Sequence, residues 1–102
     1  NKVKLLLNLV LIATHAIPRG GVIRVEVTGE AARPTFRLTC TGINARIPPG
    51  VEGILAGQLP EAAPDAHMIQ PIYASLLARA AAMTVTVVKQ DDAVVFSALP
   101  TE

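Results

Sequence analysis

The hydrophobic positions of the chain follow two different periods, and each period predicts one kind of element. Residues 3–17 are apolar almost all round and contain neither glycine nor proline, which predicts a buried helix. Pro18, Gly20 and Gly21 end this helix, because proline cannot continue it and glycine permits a tight turn.

Alternation of apolar and polar residues predicts two β-hairpins. The first pairs residues 22–28 with 35–41, and the second pairs residues 84–89 with 93–99 through the turn at 90–92. Because side chains alternate across a strand, each strand places one set of residues on the core side. The inward set of the first hairpin is predicted to be Ile23, Val25, Val27, Phe36, Leu38 and Cys40.

The middle of the chain predicts a loop at 42–50, a short helix at 51–57 and a flexible connection at 59–65. A longer helix is expected over 68–82, with Pro71 tolerated only near its start. The whole order predicts one α/β (α+β) domain over residues 1–102. Its architecture is a two-layer sandwich, with a mixed β-sheet and the helices on one face.

Composition narrows the function classes. The chain is 51% hydrophobic but only 3% aromatic, so the core is expected to be aliphatic. A net charge of +1 predicts no general affinity for nucleic acid. The apolar run near the start is shorter than the roughly 20 residues that a membrane span needs. The single cysteine excludes an internal disulfide and fits a reducing compartment such as the cytoplasm.

No group of residues predicts chemistry by its spacing. His15 lies at the end of the first helix, with no Asp, Glu or Cys three or four residues away to orient it. His67 has Asp65 nearby but no second ligand at metal spacing. Cys40 falls on the inward face of a strand, where a buried, inert thiol is expected. The residues alone therefore predict no catalytic side chain and no metal site.

Four segments, in order, resemble the ATP-binding domain of histidine kinases. Residues 5–27 (LLLNLVLIATHAIPRGGVIRVEV) resemble the N-box helix, its P-x-G-G turn and a strand. Residues 36–48 (FRLTCTGINARIP) correspond to the D-x-G-x-G loop, and residues 68–87 to the glycine-rich segment and its helix. Residues 94–100 (VVFSALP) resemble the closing strand. The resemblance spans essentially the whole chain and implies the histidine-kinase ATPase (Bergerat) fold.

Departures from the kinase motifs imply that ATP binding has been lost. Asn8 matches the first asparagine of the N-box, but Ile12 stands where the kinases have the asparagine that binds magnesium. Cys40 replaces the aspartate that recognises adenine, and Pro71 lies where the second glycine motif would be. Magnesium needs oxygen ligands and phosphates need close backbone approach, so the resemblance implies no cofactor and no metal.

A kinase-type domain with these changes, and with QP-x-Y at residues 70–73, closely resembles the C-terminal domain of the ChpT-like histidine phosphotransferases. In that bacterial family a helical hairpin precedes the domain and dimerises into a four-helix bundle. Its histidine passes phosphate between receiver domains of response regulators, including that of a hybrid histidine kinase. The resemblance thus implies a homodimeric, cytoplasmic phosphorelay protein. Its reactive histidine is expected before Asn1, so neither His15 nor His67 takes that role.

Three arginines are predicted to be exposed in turns and loops, namely Arg19, Arg33 and Arg46. They are candidates to contact the acidic surface around a receiver's phosphorylated aspartate, and the alternative is that they are solvated surface residues. Two other functions stay open for the chain. One is a divergent kinase or ATPase domain that binds nucleotide through substituted residues, and the other is a purely structural interaction module.

Overall fold

The computed structural model describes residues 2–30, 32–47, 50–56 and 66–101, with side chains in the last range from residue 69 onward. The elements are α1 Lys2–Thr14, β1 Val22–Glu30, β2 Arg33–Thr41, α2 Val51–Leu55, α3 Ala66–Ala80, β3 Met83–Gln90 and β4 Ala93–Pro100. The predicted order of helices and strands is therefore confirmed. The predicted connection at 59–65 lies outside the described residues.

The four strands form one sheet in the order β1-β2-β4-β3, and every neighbouring pair is antiparallel. The fold class is confirmed. The prediction of a mixed sheet is wrong, because the sheet contains no parallel pair among the described strands. The strands β2 and β3 do run in the same direction, since each is antiparallel to β4. They do not pair, because β4 turns back from β3 at Asp91-Asp92 and lies between them.

The helices cover one face of the sheet and enclose an aliphatic core. The first helix packs on β2 and against α3, while α2 and α3 pack on β3. The predicted inward residues Phe36, Leu38 and Cys40 are all buried. The largest side chains that are fully buried come from α1, β2 and β4: Phe96, Leu5, Leu9, Ile12, Leu38, Val94 and Cys40. None of the described helices is long and apolar enough to cross a membrane.

Two predictions of burial are wrong. The first helix is not buried all round, because Val3, Leu7 and Leu11 lie on its outer side and are exposed. In β1, Val25 and Val27 are also exposed, although they pair with the buried Leu38 and Phe36. The reason is helix coverage, since α1 lies mainly over the neighbouring strand β2 rather than over the edge strand β1. The other edge strand, β3, is covered by α2 and α3 and buries its inward residues. Alternation identified the face of the strand but not whether a helix covers it.

The third helix begins earlier than the sequence predicted. It starts at Ala66, so Pro71 is an interior residue of the helix rather than one of its first turn. Pro71 is buried, as are Ala74 and Ala78, and these small side chains let α3 lie close to the sheet. The helix is followed by Ala82 in the left-handed conformation, with φ of 56°, which directs the chain into β3.

Candidate functional site

The three positions that the kinase resemblance assigns to nucleotide binding, Ile12, Cys40 and Pro71, are all buried. Ile12 is 2% exposed and Cys40 is fully buried, and both belong to the main hydrophobic cluster. Pro71 is buried in α3. Burial raises the pKa of the Cys40 thiol from its usual 9.0 to about 11, so this side chain stays neutral in place of an aspartate.

Asn8, which the resemblance matches to the first N-box asparagine, forms hydrogen bonds within the protein. Its Oδ1 accepts a hydrogen bond from Nε2 of Gln70 on α3, and its Nδ2 donates to the Lys4 carbonyl oxygen at 2.8 Å. The side chain is only 9% exposed, so these two bonds satisfy an amide that would otherwise be costly to bury. The bond to Gln70 joins α1 to α3, which pack against each other.

These residues do not fit Mg-ATP. Ile12 and Cys40 provide no oxygen ligand and no anionic acceptor, and the Asn8 amide is already bonded to Gln70. In the described part of the chain, no group of three or more His, Cys, Asp or Glu residues could hold a metal ion. His15 lies exposed just after α1, and the side chain of His67 lies outside the described residues.

A basic cavity of about 550 Å³ lies at the end of the sheet where β1 begins and β2 ends. It is lined by Pro18, Arg19, Asn44, Ala45, Arg46 and Lys89. Among these lining residues none carries a carboxylate, and three carry a positive charge. Within the described part of the chain, the three cationic side chains form no ion pair. As far as the described residues go, the cavity therefore presents positive charge to solvent that no carboxylate neutralises.

Backbone contacts hold the two loops of this cavity together. The Arg46 backbone N–H donates to the Ala16 carbonyl oxygen at 2.8 Å, which joins the loop after β2 to the end of the first helical segment. Gly21 has φ of 148° and packs so closely that an added Cβ would collide with the Thr41 carbonyl oxygen. A Cβ at Gly42 would likewise collide with the carbonyl oxygen of Gly20. Only glycine allows this close approach, which explains the P-R-G-G and T-G sequences.

The cavity brings together two of the three arginines that the sequence singled out. Arg19 and Arg46 both line it, whereas Arg33 begins β2 opposite Glu30 at the other end of the first hairpin. Arg33 and Thr41 are the two ends of the nine-residue strand β2, which places them about 26 Å apart. Arg33 is thus exposed, as predicted, but lies far from the other two.

Lys89 is the residue that sequence reasoning missed. It continues the core-facing row Met83, Val85 and Val87 of β3 by one further step of two residues. Its partner across the sheet is Val94, which in turn pairs with Cys40. The sequence did contain a sign of this site. In β3 the alternation of apolar and polar residues puts a charged side chain, Lys89, at the last position of the core-facing row.

The fold defines an α+β domain of the histidine-kinase-like class, with Ile12 and Cys40 inside its hydrophobic core. Comparison with known proteins specifies the family. The model of the histidine phosphotransferase C-terminal domain matches residues 1–93, and the chain belongs to this family.

Two relatives agree with this assignment. The protein phosphotransferase ChpT of Brucella abortus (strain 2308) is 44% identical over 98 residues, which cover 96% of the chain and 47% of that protein. A solved structure of a bacterial phosphotransferase superposes with a TM-score of 0.87 at 43% identity, over 95% of the chain and 47% of its own. The chain thus spans about half the length of the relatives it matches.

Proposed function

We propose that the chain is the part of a bacterial histidine phosphotransferase that docks receiver domains and does not bind ATP. The phosphoryl-accepting histidine then belongs to a helical hairpin elsewhere in the longer protein, which dimerises and carries the chemistry. Phosphate passes from one receiver domain, such as that of a hybrid histidine kinase, to another. Such a relay operates in the cytoplasm. Family membership and the length of the relatives support this division of labour.

The filled nucleotide positions support a role without ATP. A kinase domain has to open a polar site between its N-box helix and its glycine-rich segment. Here Ile12 and Cys40 are part of the core between helix and sheet, and the Asn8–Gln70 bond joins the two helices. Removing such core side chains to admit a ligand would cost several kcal/mol each. The domain therefore keeps the shape of a kinase domain for recognition alone.

The basic cavity is the observation that carries the docking proposal. Receiver domains bear a cluster of carboxylates around the aspartate that is phosphorylated, so a complementary surface should be positive. Arg19, Arg46 and Lys89 supply such a surface, and none of them has an acidic partner in the described residues. Complementary charge accelerates association and orients the partner. Arg33 lies at the other end of the hairpin and does not line this cavity, so the proposal does not rest on it.

The test uses a longer protein that contains this chain after its helical hairpin. Arg19→Glu and Arg46→Glu are each expected to lower kcat/KM for phosphotransfer to a receiver by about tenfold or more, because each replaces an attraction with a repulsion. Phosphotransfer is followed with radiolabelled phosphate at several salt concentrations. The defect should be largest at low salt, where the screening length is longest.

Arg33→Glu is the matched control, because it makes the same change of charge on an exposed arginine at the far end of the hairpin. Its rate should remain within about twofold of the wild type, and the thermal unfolding of all three variants should be unchanged, as expected for exposed sites. Equal losses in Arg33→Glu and Arg46→Glu would indicate a general effect of net charge. An unchanged rate in Arg46→Glu would remove the cavity from the docking surface.

A further inference from the structure

We propose that the basic cavity also binds a free small molecule that carries phosphate groups. The proposal goes beyond receiver docking and stands without it, because it concerns a soluble ligand and this chain alone. Three features support the proposal. The lining is positively charged, two of its cations are guanidinium groups, and backbone hydrogen bonds hold the two loops that form the walls. No motif for nucleotides or phosphates occurs in the sequence at this place, since the cavity is assembled from three separate segments.

The charge of the cavity calls for a multivalent anion. Two guanidinium groups and one ammonium group line it, and none is neutralised by a described carboxylate. Asp91 and Asp92 lie on the neighbouring β3–β4 turn, are exposed, and are not among the lining residues. A phosphate monoester carries about −1.5 to −2 charges near pH 7, so one or two phosphates match three cations better than a single carboxylate does.

The chemical groups that line the cavity also favour phosphate over other anions. Arginine presents planar pairs of N–H donors that match two oxygens of a phosphate, and Arg19 and Arg46 approach from different loops. The Asn44 side chain can donate a further hydrogen bond. Pro18 and Ala45 are the apolar part of the wall, which suits a small organic group attached to the phosphate. The volume of about 550 Å³ lies within the range of small-molecule sites.

Backbone hydrogen bonds already order the two loops of the cavity in the absence of a ligand. The Gly20 N–H donates to the Ile17 carbonyl oxygen at 2.9 Å, next to Arg19, and the Arg46 N–H donates to Ala16 at 2.8 Å. Asn44 adopts a left-handed conformation, with φ of 60°, and Ala45 is buried. A site whose backbone is already ordered loses less entropy on binding, so ordering costs mainly the side chains.

The experiment is a titration of the ¹⁵N-labelled chain with inorganic pyrophosphate at constant ionic strength, followed by amide chemical shifts. We expect saturable shifts confined to residues 19–21, 44–46 and 89. Arg46→Gln should weaken binding at least tenfold and Lys89→Gln several-fold. Arg33→Gln, which removes the same charge elsewhere, should stay within twofold. Citrate provides three carboxylates without phosphate and should bind at least tenfold more weakly.

Three results would overturn the proposal: shifts that grow linearly without saturation, equal affinity in Arg46→Gln and the wild type, or equal affinity for citrate and pyrophosphate. The titration contains no receiver, so its failure leaves the docking proposal intact. Conversely, if phosphotransfer is insensitive to Arg19→Glu and Arg46→Glu, a saturable pyrophosphate site still stands. The two proposals can therefore fail separately.

Discussion

Cys40 is a fully buried core residue at the position where the kinase resemblance expects an aspartate. It lies on the helix-facing side of β2, between Ile23 on β1 and Val94 on β4 in the sheet. An aspartate there would need a charged or polar partner, because an unpaired buried carboxylate is strongly unfavourable. A thiol needs none, since its neutral form behaves as a small apolar group. Burial then raises its pKa to about 11.

The raised pKa predicts a loss of stability at high pH. Between pH 9 and 11 the unfolded chain releases the Cys40 proton while the native state retains it, so ionisation favours unfolding. The free energy of unfolding should be insensitive to this thiol below pH 9 and fall by about 2–3 kcal/mol as the pH approaches 11. Urea unfolding under reducing conditions, in steps of pH 8 to 11, measures the slope.

Cys40→Ala is the control for that slope. Every other effect of high pH on stability is common to the two proteins, so the difference between their slopes isolates the Cys40 thiol. The variant should be less stable by a constant amount because it leaves a small cavity, and its stability should fall less steeply with pH. Parallel pH profiles for the two proteins would contradict a buried, protonated thiol.

At the scale of elements, the sequence predicted positions within a strand or helix better than contacts between them. The order of elements and the inward row of β2 followed from periodicity, because a buried central strand has one core face. Whether Val25 and Val27 are covered depends on where α1 crosses the sheet, which no local pattern specifies. The basic cavity was equally hidden, since Arg19, Arg46 and Lys89 come together only through loop contacts and strand order.

The contact between α1 and α3 depends on one polar pair, and this predicts a measurable coupling. Asn8→Ala should cost about 1–2 kcal/mol of unfolding free energy, because it leaves the Gln70 amide and the Lys4 carbonyl without this partner. Gln70→Ala should cost less, since Gln70 is only half-buried. A double-mutant cycle in urea should give a coupling of about 1 kcal/mol between Asn8 and Gln70.

The pair Thr84–Thr101 is a matched reference for that cycle. Its two hydroxyl groups lie 2.8 Å apart, but they are exposed, so water replaces the bond when either is removed. Its coupling should be below about 0.5 kcal/mol. A coupling for Asn8 and Gln70 no larger than this would mean that the interhelical bond contributes nothing specific to the packing of α1 on α3.

For the whole molecule, two positions that the kinase resemblance assigns to nucleotide binding lie inside the hydrophobic core. Ile12 and Cys40 both belong to the main hydrophobic cluster, together with Leu9, Leu38 and Phe96. Substituting the kinase residues, asparagine for Ile12 and aspartate for Cys40, would therefore place an amide and a carboxylate inside an apolar core. The resemblance to kinases singled out Ile12 and Cys40 from sequence, and both are buried. Only the packing indicates that they now contribute to folding, because burial arises from elements far apart in the chain.

The double variant Ile12→Asn, Cys40→Asp tests this directly. We expect its free energy of unfolding to fall by more than about 3 kcal/mol, since it buries an unpaired charge and an amide. Neither it nor the wild type should bind a fluorescent Mg-ATP analogue saturably. The control Leu11→Asn, Thr41→Asp makes the same chemical changes at exposed neighbours and should cost about 1 kcal/mol or less. A stable Ile12→Asn, Cys40→Asp protein that binds Mg-ATP would mean that a nucleotide cleft is still present and lacks only its ligands.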